Sequence, residues 1–194
     1  MIALSILTPA IPQRITQVAH LFAKLAGQIG SQDIEHLMLM DNRKRTVGEK
    51  RQALLDAAHG KYIAFVDDDD DVADCYIEKL IDAISQDPDA VTFDQQAEIN
   101  GQIGWISFRR GNLNHKWRAN QVSDRAVWHV CAWRRTLALR SSFPAKNYGE
   151  DWAWASPLQE WIQSEVHIPQ ILHFYRHSSE TTAAPPPVTP PQSR

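Results

Sequence analysis

Two hydrophobic periods alternate along the first half of the chain. Residues 2–7 are a short run rich in branched aliphatics, the pattern of a buried strand. Pro9 and Pro12 break that run, and a helix is predicted beyond them with Ile15, Val18, Phe22, Leu25 and Ile29 on one face. Residues 36–40 give a second short strand ending at Asp41-Asn42. Thr46 and Glu49 have capping-box spacing and open a helix that buries Leu54, Leu55 and Ala58 and stops at Gly60. Residues 62–66 are a third strand, running directly into Asp67-Asp68-Asp69-Asp70-Asp71. Asp74 is placed to cap a helix facing inward with Ile77, Leu80, Ile81 and Ile84, and residues 90–93 give a fourth strand.

Strand–helix–strand repetition with short loops implies parallel strands joined by right-handed crossovers. Ligands of such sheets sit outside the carboxyl ends of the strands. Here those ends carry Thr8, Asp41 and the aspartate run, which places three polar features on one rim. After residue 95 the pattern changes. Asn100-Gly101 signals a hairpin, residues 109–125 read as a polar, basic loop, and residues 126–133 read as a strand. Glu150-Asp151 opens a helix bearing Trp154, Leu158, Trp161 and Ile162, followed by a strand over residues 171–175. The reading is one domain over residues 1–182, changing character at residue 95, with a disordered proline-rich tail over 183–194.

Composition narrows the class without changing this picture. The 194 residues, 43% apolar and 22% charged, suit one globular domain. A net charge of −3 gives no global attraction to nucleic acid or anionic membrane. The two cysteines, Cys75 and Cys131, are far apart and have no zinc-ligand spacing, so neither a disulfide framework nor a structural zinc site is expected. No run of about eighteen apolar residues exists, so no membrane span is expected. The opening residues lack the features of a secretory leader, and a cytoplasmic location is the expectation.

The aspartate run carries the chemistry. Two carboxylates about 4 Å apart repel by roughly 1 kcal/mol even in water. A bound divalent cation removes that repulsion, and Mg²⁺ or Mn²⁺ prefers carboxylate oxygens together with substrate phosphates. A solvated acidic turn is the plainer alternative. The position of the run, where a buried strand meets the ligand rim, favours a cation.

Tyr62-Ile63-Ala64-Phe65-Val66-Asp67-Asp68-Asp69-Asp70 resembles the strand and DxD motif of family 2 glycosyltransferases of GT-A fold. Gly48-Glu49-Lys50-Arg51 through Ala58-His59-Gly60-Lys61-Tyr62 is similar to that family's lead-in. Ser5-Ile6-Leu7-Thr8-Pro9 and Gly149-Glu150-Asp151-Trp152 match in order and spacing, so the resemblance spans residues 2–178. It implies an α/β GT-A (nucleotide-diphospho-sugar transferase) fold, a single domain whose central, mostly parallel mixed sheet is flanked by helices. Residues 1–95 would then bind the nucleotide-sugar, and residues 96–182 would face the acceptor. The resemblance further implies a metal-dependent, inverting transfer from a nucleotide-sugar, typically a UDP-sugar, to an acceptor hydroxyl, with Mn²⁺ or Mg²⁺ as cofactor.

By this resemblance Thr8 and Pro9 lie against the nucleotide, Asp41 binds the base and Arg51 helps hold the nucleotide. Asp67 and Asp68 face the ribose and diphosphate, Asp69 is the main metal ligand, and Asp70 and Asp71 are reserves should the register differ by a residue. Asp151 is the general base; Glu150 contacts an acceptor hydroxyl, and Trp152 adjoins the base. In His173-Phe174-Tyr175-Arg176-His177-Ser178, either histidine completes the metal shell and Arg176 pairs with phosphate.

The seven tryptophans all follow residue 95; most such residues are core, although aromatic faces also suit sugar rings. The basic stretch Arg109, Arg110, His115, Lys116, Trp117 and Arg118 reads first as a solvated loop. It also motivates a minority acceptor, a hydroxymethylated DNA base, beside glycans and small molecules. Three rival readings remain: a nucleotidyltransferase, whose glycine-rich loop after the first strand is missing here; a dinucleotide oxidoreductase, whose GxGxxG is also missing; and a nucleotide-sugar or metal-binding module without catalysis.

Overall fold

Seven consecutive buried residues put β1 (Leu4–Ala10) inside the sheet, covered on both faces. The computed structural model describes residues 2–177. The order continues with α1 (Ile15–Ile29), β2 (Ile34–Met40), α2 (Val47–Ala57), β3 (Tyr62–Phe65), β4 (Asp71–Val72), α3 (Tyr76–Ile84), β5 (Ala90–Ile99), β6 (Gln102–Phe108) and β7 (Val122–Arg125). It closes with β8 (Ala132–Arg134), α4 (Arg135–Ala138), α5 (Glu150–Ala155) and β9 (Glu165–His177). The strands are ordered β2-β1-β3-β8-β5-β6-β7. β1 pairs in parallel with β2 and β3, β8 runs antiparallel between β3 and β5, and β9 lies parallel to β5 and antiparallel to β4. This is the expected helix-flanked, mostly parallel mixed sheet.

Alternation along β3 builds two cores. Ile63 and Phe65 point into a cluster with Leu54, Leu55, Trp133 and Trp154, while Tyr62 and Ala64 point into another with Leu21, Leu25, Ile77 and Leu80. α2 and α5 therefore cover one face, and α1 and α3 the other.

Several expectations are corrected. The buried face of α1 is Val18, Leu21 and Leu25, whereas Ile15 and Phe22 are more than half exposed; the Phe22 ring stacks instead on His36, at 5.8 Å. Asp74 does not cap α3: Cys75 holds the N-cap position, and the exposed Asp74 pairs with Lys24 at 3.3 Å. α2 stops at Ala57, before Gly60. Trp161 is exposed under the Arg140 guanidinium, 4.4 Å from its ring centroid, while Trp154, Leu158 and Ile162 are buried as expected.

The strand expected over 126–133 shrinks to Ala132–Arg134, because the Trp128 carbonyl accepts from both the Cys131 N–H and the Trp133 indole N–H and closes a turn. Part of the expected 109–125 loop is β7, added in parallel to β6. The tail expected over 183–194 lies outside the described residues. No helix among the described residues is long and apolar enough to cross a membrane.

Candidate active site

The aspartate run does not act as one acidic block, because a turn divides it. The Asp70 N–H donates to the Asp67 carbonyl at 3.1 Å, and successive side chains then leave in different directions. Asp67, Asp69 and Asp70 line a cavity of about 650 Å³ at the carboxyl end of β3. Asp68 lies elsewhere: its carboxylate accepts from the Ile11 N–H at 2.8 Å and from Arg14 at 2.7 Å, and it does not line the cavity. Asp71 pairs with Lys24 at 3.2 Å and belongs to β4, away from the site. Asp68 is therefore a strut holding the segment after β1.

α2 delivers the cations. Its capping box is formed, with the Glu49 N–H donating to Thr46 Oγ1 and the Thr46 N–H to the Glu49 carboxylate. Lys50 and Arg51 stand four residues before Leu54 and Leu55, on the same buried face. Arg51 donates to Asp67 at 2.8 Å and to Glu150 at 3.3 Å, with its guanidinium 5.3 Å from the centre of the Phe65 ring. Lys50 donates to the Ala10 carbonyl at 2.8 Å and lies 3.5 Å from Asp41. Gly48 makes this approach possible, since a Cβ there would fall 1.9 Å from the Pro144 carbonyl oxygen. The Gly48 N–H donates to the Lys146 carbonyl, and the Val47 N–H to Asn147, so α2 is clamped to the segment leading to Glu150.

Asp151, Trp128, His129, Arg125 and Tyr175 line the same cavity. Asp151 Oδ2 accepts from the Trp128 indole N–H at 3.0 Å, and Oδ1 from the Trp152 backbone N–H at 2.7 Å. Burial pushes this carboxyl up, but the adjoining His129 and Arg51, with both hydrogen bonds, hold it below the usual range. His129 Nδ1 lies 3.7 Å from Asp151, and burial lowers its ring to about 4, leaving it neutral at pH 7. Burial also raises Glu150, against the pull of Arg51.

Among the acidic residues, burial raises Asp67, but the charge and hydrogen bond of Arg51 together with His129 and His173 bring it below the ordinary carboxylate value. Burial and the Asp67 charge push Asp69 up to about 6, and Asp70 well above the ordinary value. His173 is fully buried, lowered to about 4 by burial, with Nε2 at 3.4 Å from Asp70. Asp67 Oδ1, Asp70 Oδ1 and both ring nitrogens of His173 are buried without hydrogen-bond partners. Such orphaned acceptors fit a cation. Among the described residues, though, no three His, Cys, Asp or Glu side chains are already gathered to hold one.

Other expected site residues do not line the cavity. The buried Thr8 hydroxyl lies 3.0 Å from His36 Nε2 on the neighbouring strand, and Pro9 is enclosed within β1. Asp41 acts one step back, holding Lys50 and the Arg45 N–H. Trp152 stacks on Trp128 with ring centres 4.8 Å apart, so the indole of Trp128, rather than that of Trp152, touches the Asp151 carboxylate. The exposed Arg176 contributes its backbone N–H to Asp70, not its guanidinium to the cavity. His177 stacks beside Tyr175; His173, which is fully buried and does not line the cavity either, is the histidine that reaches Asp70 from behind.

Sequence reasoning missed Arg14, Lys50, Arg125 and His129. The four-residue spacing of Lys50 and Arg51 from Leu54 and Leu55 would have revealed Lys50. His129 sits in a turn that leaves no periodic signal.

The profile of glycosyl transferase family 2 matches residues 23–144. No curated protein matches the sequence. Among solved structures, Staphylococcus aureus TarS residues 1–349 in complex with UDP-GlcNAc superposes with a TM-score of 0.62 at 11% identity, over 91% of this chain and 59% of that one. The same TarS fragment in complex with UDP gives 0.64 at 13% identity, over 92% and 61%. The chain thus spans about three-fifths of the length of these structures. The likeness bears out the GT-A fold implied by the motifs. With the profile covering well over half of its residues, the chain belongs to glycosyl transferase family 2.

Proposed function

We propose that the chain transfers a sugar from a uridine diphosphate sugar to an acceptor hydroxyl, with inversion at the anomeric carbon and Asp151 as general base. The observation that carries this reading is the Asp151 carboxylate, held by the Trp128 indole and the Trp152 N–H and lining one cavity with the Arg51-bound Asp67. In the reaction the acceptor oxygen attacks the anomeric carbon as the bond from that carbon to the diphosphate oxygen breaks. UDP leaves, and the hydroxyl proton passes to Asp151. Family membership and the TarS structures in complex with UDP-GlcNAc and UDP support this donor class.

Asp69, Asp70 and His173 would hold a divalent cation, with their orphaned or raised groups as motive. When bound, Mn²⁺ or Mg²⁺ supplies positive charge against the leaving diphosphate. Arg51 fixes Asp67 so that its carboxylate can accept from the ribose hydroxyls. Arg14, Lys50 and Arg45 line the same cavity and would supply positive charge near the nucleotide.

The test is release of UDP from a panel of UDP-, GDP- and ADP-sugars, with Mn²⁺ and with chelator. Turnover of a UDP-sugar that chelation abolishes is expected. Turnover indifferent to chelation would remove the cation from the scheme, and failure to bind any nucleotide would remove the donor site.

A further inference from the structure

We infer that the wall beside Asp151 is an acceptor subsite for a sugar or polyol bearing an oxyanion, a carboxylate or a phosphate, with Arg125 as its binding residue. This rests on the glycosyl-transfer reading above and adds the chemical class of the acceptor.

Among the cations of the cavity, Arg51, Arg14, Lys50 and Arg45 each have carboxylate partners, and Arg43 is exposed to solvent. Arg125, at the end of β7, has no carboxylate within ion-pair distance among the described residues; Asp151 attracts it only from farther off, and burial lowers its pKa all the same. Its guanidinium rests 5.2 Å from the centre of the Trp128 ring, and its Nε is buried without a hydrogen-bond partner. A guanidinium drawn out of water without an anion is costly, and a bidentate oxyanion satisfies it best.

Trp128 fixes where such an anion would lie. Its face supports Arg125, and its indole N–H holds Asp151. An acceptor anchored on Arg125 would therefore present a neighbouring hydroxyl to the base, with only one indole between the two contacts. The residues holding Asp67 and Asp69 come from α2 and from the segment after β1, whereas Arg125 comes from β7, so the donor's diphosphate and the acceptor's anion would use different cations.

The remaining surface suits the carbon skeleton of a sugar or polyol. Ile99, Ile106, Phe108 and Trp117 line it, giving apolar faces for C–H groups. Trp117 lies against β6 only because residue 104 is glycine: a Cβ there would come 2.8 Å from Trp117 Nε1 and 2.5 Å from the Arg118 carbonyl oxygen. Trp117 Nε1 is itself buried without a partner. The basic stretch 109–118 thus contributes an aromatic wall to the site as well as solvated charge.

The experiment compares matched acceptors, glucuronic acid against glucose and glucose 6-phosphate against glucose, with the UDP-sugar that the chain turns over fastest. Transfer is followed by radiolabel and UDP binding by calorimetry. Wild type is expected to favour a charged member by roughly tenfold or more in kcat/KM, the size of one charge-assisted hydrogen bond. Arg125→Gln should collapse that ratio toward one, and Arg125→Lys should retain part of it, which separates loss of charge from loss of fold.

Equal use of charged and neutral members, or no transfer to any charged probe, would overturn the inference. So would an Arg125→Gln variant whose UDP affinity falls as far as its acceptor use, since Arg125 would then belong to the donor side. Wild type that binds no UDP would instead sink the transfer reading itself.

Discussion

At the scale of residues, Arg51 is the side chain on which the site turns. It is fully buried between Asp67 and Glu150, so Arg51→Met leaves two carboxylates without their cation. Breaking a buried pair in this way costs about 3–5 kcal/mol, to be read from urea denaturation midpoints. pH acts through Asp69. Its carboxyl, raised to about 6, must lose a proton to receive a cation, so cation-dependent UDP affinity should fall as pH drops through 6, with proton release on binding in that window. Calorimetry in buffers of different ionisation heat measures that release.

The two buried histidines act on stability. Native His129 and His173 stay neutral down to about 4, while the unfolded chain takes up protons from 6.5. Their contribution is therefore lost as pH falls from 6.5 to 4, and His129→Asn should flatten the loss of stability between pH 7 and 5. Asp151, Asp67, Asp69 and Arg51 were legible as motif residues. The separation of Asp68 and Asp71 from their neighbours was not, because a turn sets side-chain direction and five identical letters carry no sign of it.

At the scale of elements, α2 joins the fold to the chemistry. Its first half presents Lys50 and Arg51, its second half presents Leu54 and Leu55, and Gly48 allows it to abut the segment before Glu150. Gly48→Ala should therefore cost stability, about 1–3 kcal/mol by overpacking, and should lower transfer by moving Arg51 from Glu150. Thr46→Ala removes only the cap, about 1 kcal/mol, and serves as the comparison that keeps its turnover. Thermal melts beside turnover rates distinguish the two.

Elements with a clean period are legible in the amino-acid pattern: α2, β3 and α3 follow it, and β1 does too, except that it runs on through Pro9 to Ala10 instead of breaking there. The irregular second half is not. The 126–131 turn is closed by two donors converging on the Trp128 carbonyl, and β7 depends on pairing with β6; both are tertiary events that leave no local signature.

At the scale of the whole molecule, the sheet gathers the ends of β3, β5, β7 and β9 with the start of α5 around one cavity, so residues far apart in sequence converge on it. In the proposed reaction the nucleotide contacts and the base are different residues, Arg51 and Asp67 against Asp151, so binding and transfer can be tested apart. The most direct measurement is transfer by Asp151→Asn set beside its UDP affinity. The variant should bind UDP within about twofold of wild type and lose about 10²–10⁴ in turnover, the usual worth of a positioned base. Turnover near that of wild type would contradict the assignment of Asp151, and with it the reaction drawn across this cavity.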